Sequence, residues 1–250
     1  MDLRWEILTD YGPLFVTGLW MTVQLTLVAI VCGLVLGVLF GMLSSSVDAP
    51  PPKSIALGWA LKVARAFTTA YVTFFRGTPL FVQIVLVHFA VTPLLIHPDT
   101  GLLLAGEAAR EFRQSHGAFF SGALALSLNA GAYISEIFRA GIQSIHLGQT
   151  QASYSLGLTH AQAMRFIVLP QAFRRMLPAL VNEGITLIKD SSLVSAIGLA
   201  ELAMAARTVA GAYSRYWEPY LAISVMYLVL TLLLSVLAKR LEAPAHHRGR

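Results

Sequence analysis

The chain has 250 residues, 56% of them hydrophobic and 12% charged, with a mean hydropathy of +0.66, which is too apolar for a soluble domain and implies an integral membrane protein. A net charge of +5 and a pI near 9.6 would suit a nucleic-acid binder. Most of the Lys and Arg, however, punctuate the gaps between apolar runs, as membrane topology requires, and this excludes nucleic acid as a partner. The single cysteine, Cys32, cannot form an intrachain disulfide; in its apolar run it is expected to be a small buried residue.

The N-terminus carries Asp2, Glu6 and Asp10 with one Arg4. The apolar run behind it is longer than a signal-peptide core, so no cleavage is expected. The first span is predicted at about 14–43, long enough to cross a bilayer with tilt. Gly33, Gly37 and Gly41 recur every fourth residue there and expose one face to close approach by a neighbouring helix. A linker with Pro50-Pro51-Pro52 follows. Residues 55–75, with Lys62 and Arg65 in an apolar background, suit an interfacial elbow helix. At Arg76-Gly77-Thr78-Pro79 a second span opens, with Thr78 as cap and Pro79 in the first turn, and runs over 78–96.

The polar stretch His97 to Gly117 is expected to be an external loop, with His97 and His116 too isolated to hold a metal. The third span covers 118–140, and near its end Glu136 and Arg139 stand one turn apart, where they can pair. A fourth span is predicted at 176–202 and a fifth at 217–237, the latter bounded by Trp217 and Tyr220 at one interface and Lys239-Arg240 at the other. His246-His247 in the basic tail are expected to be solvated. Five spans with the N-terminus outside place twelve of the 18 Lys and Arg on the side of the 143–170 loop and the C-terminus, and five on the other, with Lys189 in between. That bias makes the loop and the C-terminus cytoplasmic.

The loop itself has internal punctuation. A helical run from Gln143 to Leu156 meets Gly157, which can adopt the left-handed conformation that closes a helix. Thr159 and Gln162 form a capping-box pattern for a second helix, and Pro170 forces a kink or stop. A plain solvated loop is the duller alternative.

Gln151-Ala152-Ser153, Gly157 and Ile167-Val168-Leu169-Pro170 resemble the signature loop of the membrane subunits of ABC importers, Glu-Ala-Ala leading to Gly and Ile-x-Leu-Pro, with Gln for Glu and Ser for Ala. Further stretches are similar to the polar amino-acid branch of these permeases, the glutamine and histidine importers. They are Arg76-Gly77-Thr78-Pro79-Leu80 with Gln83, Gly131-Ala132-Tyr133 with Glu136 and Arg139, Leu177-Pro178, Asn182, Lys189-Asp190-Ser191-Ser192-Leu193, and Ile197-Gly198 with Glu201-Leu202. The resemblance implies an all-α permease of the bacterial cytoplasmic membrane with five transmembrane helices, of the type I importer kind. It implies a second permease copy or homologue, an extracytoplasmic amino-acid-binding protein, and a dimer of ATPase subunits that bind ATP and Mg. The coupling residues it implies are Gln151, Ala152, Ser153, Gly157, Leu158, Thr159, His160 and Pro170. No phosphate-cradling Gly-rich loop ending in Gly-Lys-Ser/Thr occurs in this chain, so no cofactor is expected in it and hydrolysis belongs to the partner.

Ionisable groups inside a membrane are functional candidates, because burying them unpaired is costly. Glu183 lies roughly 12 Å along a helix from Arg175, near the middle of a ~30 Å hydrocarbon core. Glu183 and Asp190, with Asn182, Ser191 and Lys189, are the expected substrate-pathway residues, joined by Glu136 and Arg76. Structural pairing of Lys189 and Asp190 with neighbouring helices is the alternative. An intramembrane enzyme and an ion-coupled carrier are rival functions. The first lacks a paired-Asp, Ser/His or His-Glu-x-x-His pattern, and the second lacks internal repeats.

Overall fold

A computed structural model describes residues 3–45 and 54–246 of the chain. Asp2, the Pro50-Pro51-Pro52 linker, Lys53, His247, Arg248 and Arg250 lie outside the described residues. Apart from one isolated bridge between Ile96 and Leu104, the described residues form helices and turns.

In chain order these are α1 (Glu6–Asp10), α2 (Gly12–Ser45), α3 (Ile55–Gly77), α4 (Leu80–Leu86), a π turn (Val87–Val91), α5 (Thr92–Leu95), α6 (Gly106–Gln143), α7 (Leu147–Ser155) and α8 (His160–Ala163). A second π turn (Met164–Val168), α9 (Leu169–Asp190), a 3-10 stretch (Ser191–Ile197), α10 (Leu202–Tyr213) and α11 (Trp217–His246) complete it. Three helices are each long and apolar enough to cross a membrane, Gly12–Ser45, Gly106–Gln143 and Trp217–Arg240. With two bent pairs, Ile55–Gly77 with Leu80–Leu95 and His160–Ile197 with Leu202–Tyr213, the number rises to as many as five if each pair is one span.

Several boundaries differ from the sequence reading for local physical reasons. The mixed-charge stretch before Gly117 is largely helical, because Gly106 takes φ +71 and the Glu107-Ala108-Ala109-Arg110-Glu111 run behind it is made of strong helix formers. Thr78 does not cap α4. Pro79 holds the N-cap position with ψ 133, and the buried Gln83 amide donates to both the Thr78 carbonyl (3.0 Å) and its hydroxyl (2.9 Å). Each π turn ends two residues before a proline, Pro93 in one case and Pro170 in the other. A wider turn moves the carbonyl four residues back away from the proline ring, so at Pro170 the chain continues into α9 instead of stopping.

Contacts divide the chain into two compact units. The first comprises Met1–Val31, Thr78–Ser127 and Gly184–Ser235; the second comprises Cys32–Gly77, Leu128–Glu183 and Val236–Arg250. The first unit has a core of Ile7, Phe15, Leu202, Ala205, Ala206, Val209 and Ile223. Its polar centre is Glu201, fully buried, which accepts hydrogen bonds from the Tyr227 hydroxyl (2.7 Å), the Met204 amide (2.9 Å) and the Thr22 hydroxyl (3.5 Å). Glu201 is also the N-cap of α10, its side chain accepting from an amide of the first turn of that helix.

In the second unit α2 and α6 meet through the expected glycine face. A Cβ on Gly41 would stand 2.6 Å from the Phe138 Cβ, and one on Gly37 would collide with Ile134. The two helices approach more closely than side chains would allow. Gly41→Leu is therefore expected to cost ~1–3 kcal/mol by overpacking, measured as a lower thermal midpoint in detergent. Gly12→Ala, where a Cβ meets nothing within 4 Å, is expected to cost far less. Equal midpoints for the two variants would dismiss the close-approach account. Cys32 corrects an expectation, since it is exposed rather than buried. It falls beside Val31 and Val35, exposed at 58% and 65%, on a face of an all-round apolar helix that the rest of this chain leaves uncovered.

Candidate functional site: the 143–170 loop and a polar cavity

The loop is a helical hairpin built from local backbone chemistry. His146 caps α7 by accepting the Gly148 amide on its Nδ1 at 3.0 Å, so α7 starts at Leu147, and Gln143 ends α6 instead of opening the next helix. Gly157 takes φ +80. The Leu158 amide bonds back to the Ser153 carbonyl (3.1 Å) and the Gly157 amide to the Tyr154 carbonyl (2.9 Å), the paired bonds of a Schellman C-terminus. Thr159 and Gln162 then form the reciprocal capping box read from the sequence. Across the turn the Tyr154 hydroxyl meets His160 Nδ1 at 2.8 Å, linking α7 to α8.

The hairpin is fastened by Ile145, Val168, Ala172 and Met176, which pack with Phe138 into the core of the second unit. Arg175 adds hydrogen bonds to the carbonyl and hydroxyl of Ser144. Of the expected coupling residues, Gln151, Ala152, Gly157, Thr159 and Pro170 are exposed and Leu158 and His160 partly so, whereas Ser153 is buried. Its hydroxyl, which an alanine there would lack, is satisfied by the Thr150 carbonyl at 2.7 Å. Leu147 and Leu156 stand 74% and 81% exposed on the hairpin, an uncovered apolar pair.

The expected substrate-pathway residues fall into two groups. Asn182, Glu183, Lys189 and Asp190 follow one another along α9, with Asn182 and Lys189 exposed and Glu183 and Asp190 half-buried. Ser191 opens the 3-10 stretch, fully buried, with its hydroxyl donating to the Ile188 carbonyl at 2.7 Å.

Arg76 and Glu136 are brought together elsewhere. The Arg139 guanidinium grips Glu136 through Nε (3.0 Å) and Nη2 (2.9 Å) and reaches Gln143 through Nη1 (2.8 Å). Arg76 Nη1 joins the same carboxylate at 3.2 Å and lies over the Tyr133 ring at 5.5 Å. These groups form part of the wall of a cavity of about 690 Å³ in the second unit, between α3 and α6 and reaching Ser44 of α2. None of the five α9 and 3-10 residues lines it.

Sequence reasoning took Arg65 only as a mark of an interfacial helix and did not single out the Thr68, Thr69 and Thr73 hydroxyls; all four also line this cavity. Their spacing was the available signal: residues 65, 69, 72, 73 and 76 fall on one face of a helix. The Thr22–Glu201–Tyr227 cluster was missed as a unit, because its members are far apart in the chain.

Residues 54–245 match the family model of the binding-protein-dependent transport system inner membrane component. The arginine transport system permease protein ArtQ of Bacillus subtilis (strain 168) is 34% identical over 242 residues, covering 97% of both chains. The glutamine transport system permease protein GlnP of Escherichia coli (strain K12) is 32% identical over 246 residues, again with 97% of each covered. A crystal structure of an amino acid ABC transporter with histidines superposes with a TM-score of 0.76 at 36% identity, over 98% of this chain and 100% of the other. The inward-facing MetNI methionine transporter, at 22% identity and a TM-score of 0.70, shares the fold. A hydrophobic chain with up to five spans, interrupted by a capped helical hairpin of signature sequence, thus belongs to the binding-protein-dependent inner-membrane components, the multi-pass permease subunits of ABC importers.

Proposed function

We propose that the chain imports a polar amino acid, delivered by an extracytoplasmic binding protein and driven by two cytoplasmic ATPase subunits that dock on the hairpin of α7 and α8. A second permease copy or a homologue completes the passage. The observation that carries this reading is the hairpin itself. Its turn is locked by a left-handed glycine and a capping box, and it displays the uncovered Leu147 and Leu156, so it is a rigid projection with an apolar surface ready for a partner. ATP and Mg belong to that partner. The amino-acid cargo is supported by the names of the relatives, one an arginine and one a glutamine permease. The bias of Lys and Arg toward the hairpin side supports an outside N-terminus and a cytoplasmic C-terminus.

The passage is read along α9 and its 3-10 continuation, where Asn182, Glu183, Lys189, Asp190 and Ser191 supply the polar groups. Closure of the ATPases draws the hairpins of two permeases together and rocks the spans between inward- and outward-facing states.

A tagged permease purified from the membrane is expected to bring the ATPase with it, with hydrolysis stimulated by cargo-loaded binding protein. A permease that purifies alone and takes up cargo in response to an ion gradient would favour the ion-coupled carrier instead. Within the assembled transporter, Glu183→Gln is expected to lower uptake roughly tenfold, equivalent to about 1.4 kcal/mol of binding or barrier. Unchanged uptake and unchanged cargo preference would remove Glu183 from the passage.

A further inference from the structure

We propose that a cavity of about 340 Å³ at the start of α6 binds a small oxyanion that carries a hydrogen-bond donor beside its charge. The cavity lies within the first unit, between the π turn of Val87–Val91, the turn that follows α5 and the first turns of α6. It shares no lining residue with the cavity around Glu136. Two guanidinium groups, Arg110 and Arg113, line it, and no carboxylate does. Both arginines are exposed, and among the described residues neither forms an ion pair or a hydrogen bond. Glu107 and Glu111 stand on the same turns of α6 without pairing with them. Three residues apart on a helix, the two guanidinium groups are neighbours on one face, where like charges repel. One oxyanion between them relieves both, and planar guanidinium is the side chain best matched to carboxylate or phosphate oxygens.

The need for a donor comes from His88, which also lines the cavity. The buried Ser121 hydroxyl stands 2.8 Å from the Gly117 carbonyl, 2.8 Å from the Thr92 hydroxyl and 3.0 Å from His88 Nδ1. A carbonyl can only accept, so the single Ser121 proton goes to Gly117, and both Thr92 and His88 donate to the Ser121 oxygen. This network assigns the His88 proton to Nδ1. In the neutral ring Nε2 is then an acceptor, and no group among the described residues donates to it. The guanidinium pair asks for negative charge and Nε2 asks for a proton donor. An α-hydroxy carboxylate or a hydrogenphosphate supplies both in one molecule; acetate supplies only the first. The frame is set before any ligand arrives. The Gly106 amide donates to the Pro98 carbonyl at 2.8 Å, tying the turn after α5 to α6, and the π turn that carries His88 is a widening often found at functional sites. A volume of about 340 Å³ is at the small end for ligand sites, which suits an anion of a few heavy atoms.

The test uses the assembled transporter in detergent at about pH 8, where imidazole is neutral, titrated calorimetrically with glycolate, acetate, hydrogenphosphate and nitrate. Glycolate is expected to bind about tenfold more tightly than acetate, from which it differs by one hydroxyl, and hydrogenphosphate more tightly than nitrate. Whichever of glycolate and hydrogenphosphate binds better names the source as an organic acid or mineral phosphate. Arg113→Gln should weaken both by about tenfold or more. His88→Asn keeps a donor for Ser121 but lacks Nε2, and should erase the difference between glycolate and acetate. Gln114→Trp fills the cavity without altering its charge and should abolish binding, so the outcome stays readable if His88→Asn does not assemble. Arg207→Gln, at an exposed position on α10, should leave binding unchanged. Failure of wild type to bind either donor-bearing probe, equal affinity for glycolate and acetate, or binding that survives both Arg113→Gln and Gln114→Trp overturns the proposal. None of these readouts involves transport or ATP hydrolysis, so their failure is distinct from failure of the importer reading.

Discussion

A transporter carrying Gly157→Trp is expected to assemble in the membrane yet lose coupled uptake by tenfold or more, about 1.4 kcal/mol at the least, with ATP hydrolysis no longer producing import. Gly157 sits at φ +80, and a Cβ there would meet nothing within 4 Å. The variant is therefore not excluded by crowding. Its cost is the left-handed backbone, ~1–2 kcal/mol for an L side chain, which the hairpin can escape only by giving up the Leu158 to Ser153 and Gly157 to Tyr154 hydrogen bonds. Without them α7 and α8 lose their fixed angle, and Leu156, Gln151 and Ala152 no longer present one shape to a partner. Gly157→Asn, which tolerates the left-handed region, should keep most of the coupling. Uptake and ATP hydrolysis measured together in proteoliposomes decide the matter; a Trp variant that imports like its parent would end the docking assignment.

Glu201→Ala is expected to be the most destabilising single change in the first unit, by roughly 3 kcal/mol. The carboxylate is fully buried and is the acceptor for Tyr227, Met204 and Thr22, so truncation takes the acceptor from two hydroxyls and a helix-end amide together. It also removes the cap of α10, itself worth ~1 kcal/mol. The same region has no slack. A Cβ on Gly18 would lie 3.1 Å from the Glu201 backbone, so the neighbouring helix cannot move in to fill the void. Glu201→Gln keeps the volume and one acceptor, and the Tyr227 hydroxyl can rotate to accept from the new amide, so the loss should be clearly smaller. Thermal unfolding of the two variants in detergent ranks them; an Ala variant as stable as wild type would mean the cluster contributes nothing.

The hairpin was legible residue by residue because its chemistry is local. A glycine able to take positive φ, a Thr followed three residues later by Gln and a proline downstream act on backbone within one or two turns, so their meaning survives without the rest of the fold. The pairing of Glu136 with Arg139 was legible for the same reason, being one turn of a helix. Boundaries that depend on longer context were less so. The polar run before Gly117 reads as loop by composition, yet the helix formers behind Gly106 extend α6 through much of it. Pro170 reads as a kink or a stop, and only the structure shows which: a π turn lets the chain pass.

What the sequence determined by itself was the class, the number of apolar segments that fold into up to five spans, the family and the hairpin, because hydropathy and short-range backbone sterics are properties of adjacent residues. Only the tertiary structure decided that Arg76 joins Glu136 and Arg139 beside Arg65 while the α9 residues do not line that cavity, that Glu201 answers to Thr22 and Tyr227, and that Cys32 faces outward. In a helix that is apolar on every side no periodicity tells which face is covered. The choice falls to which neighbour packs there, and that depends on residues scores of positions away.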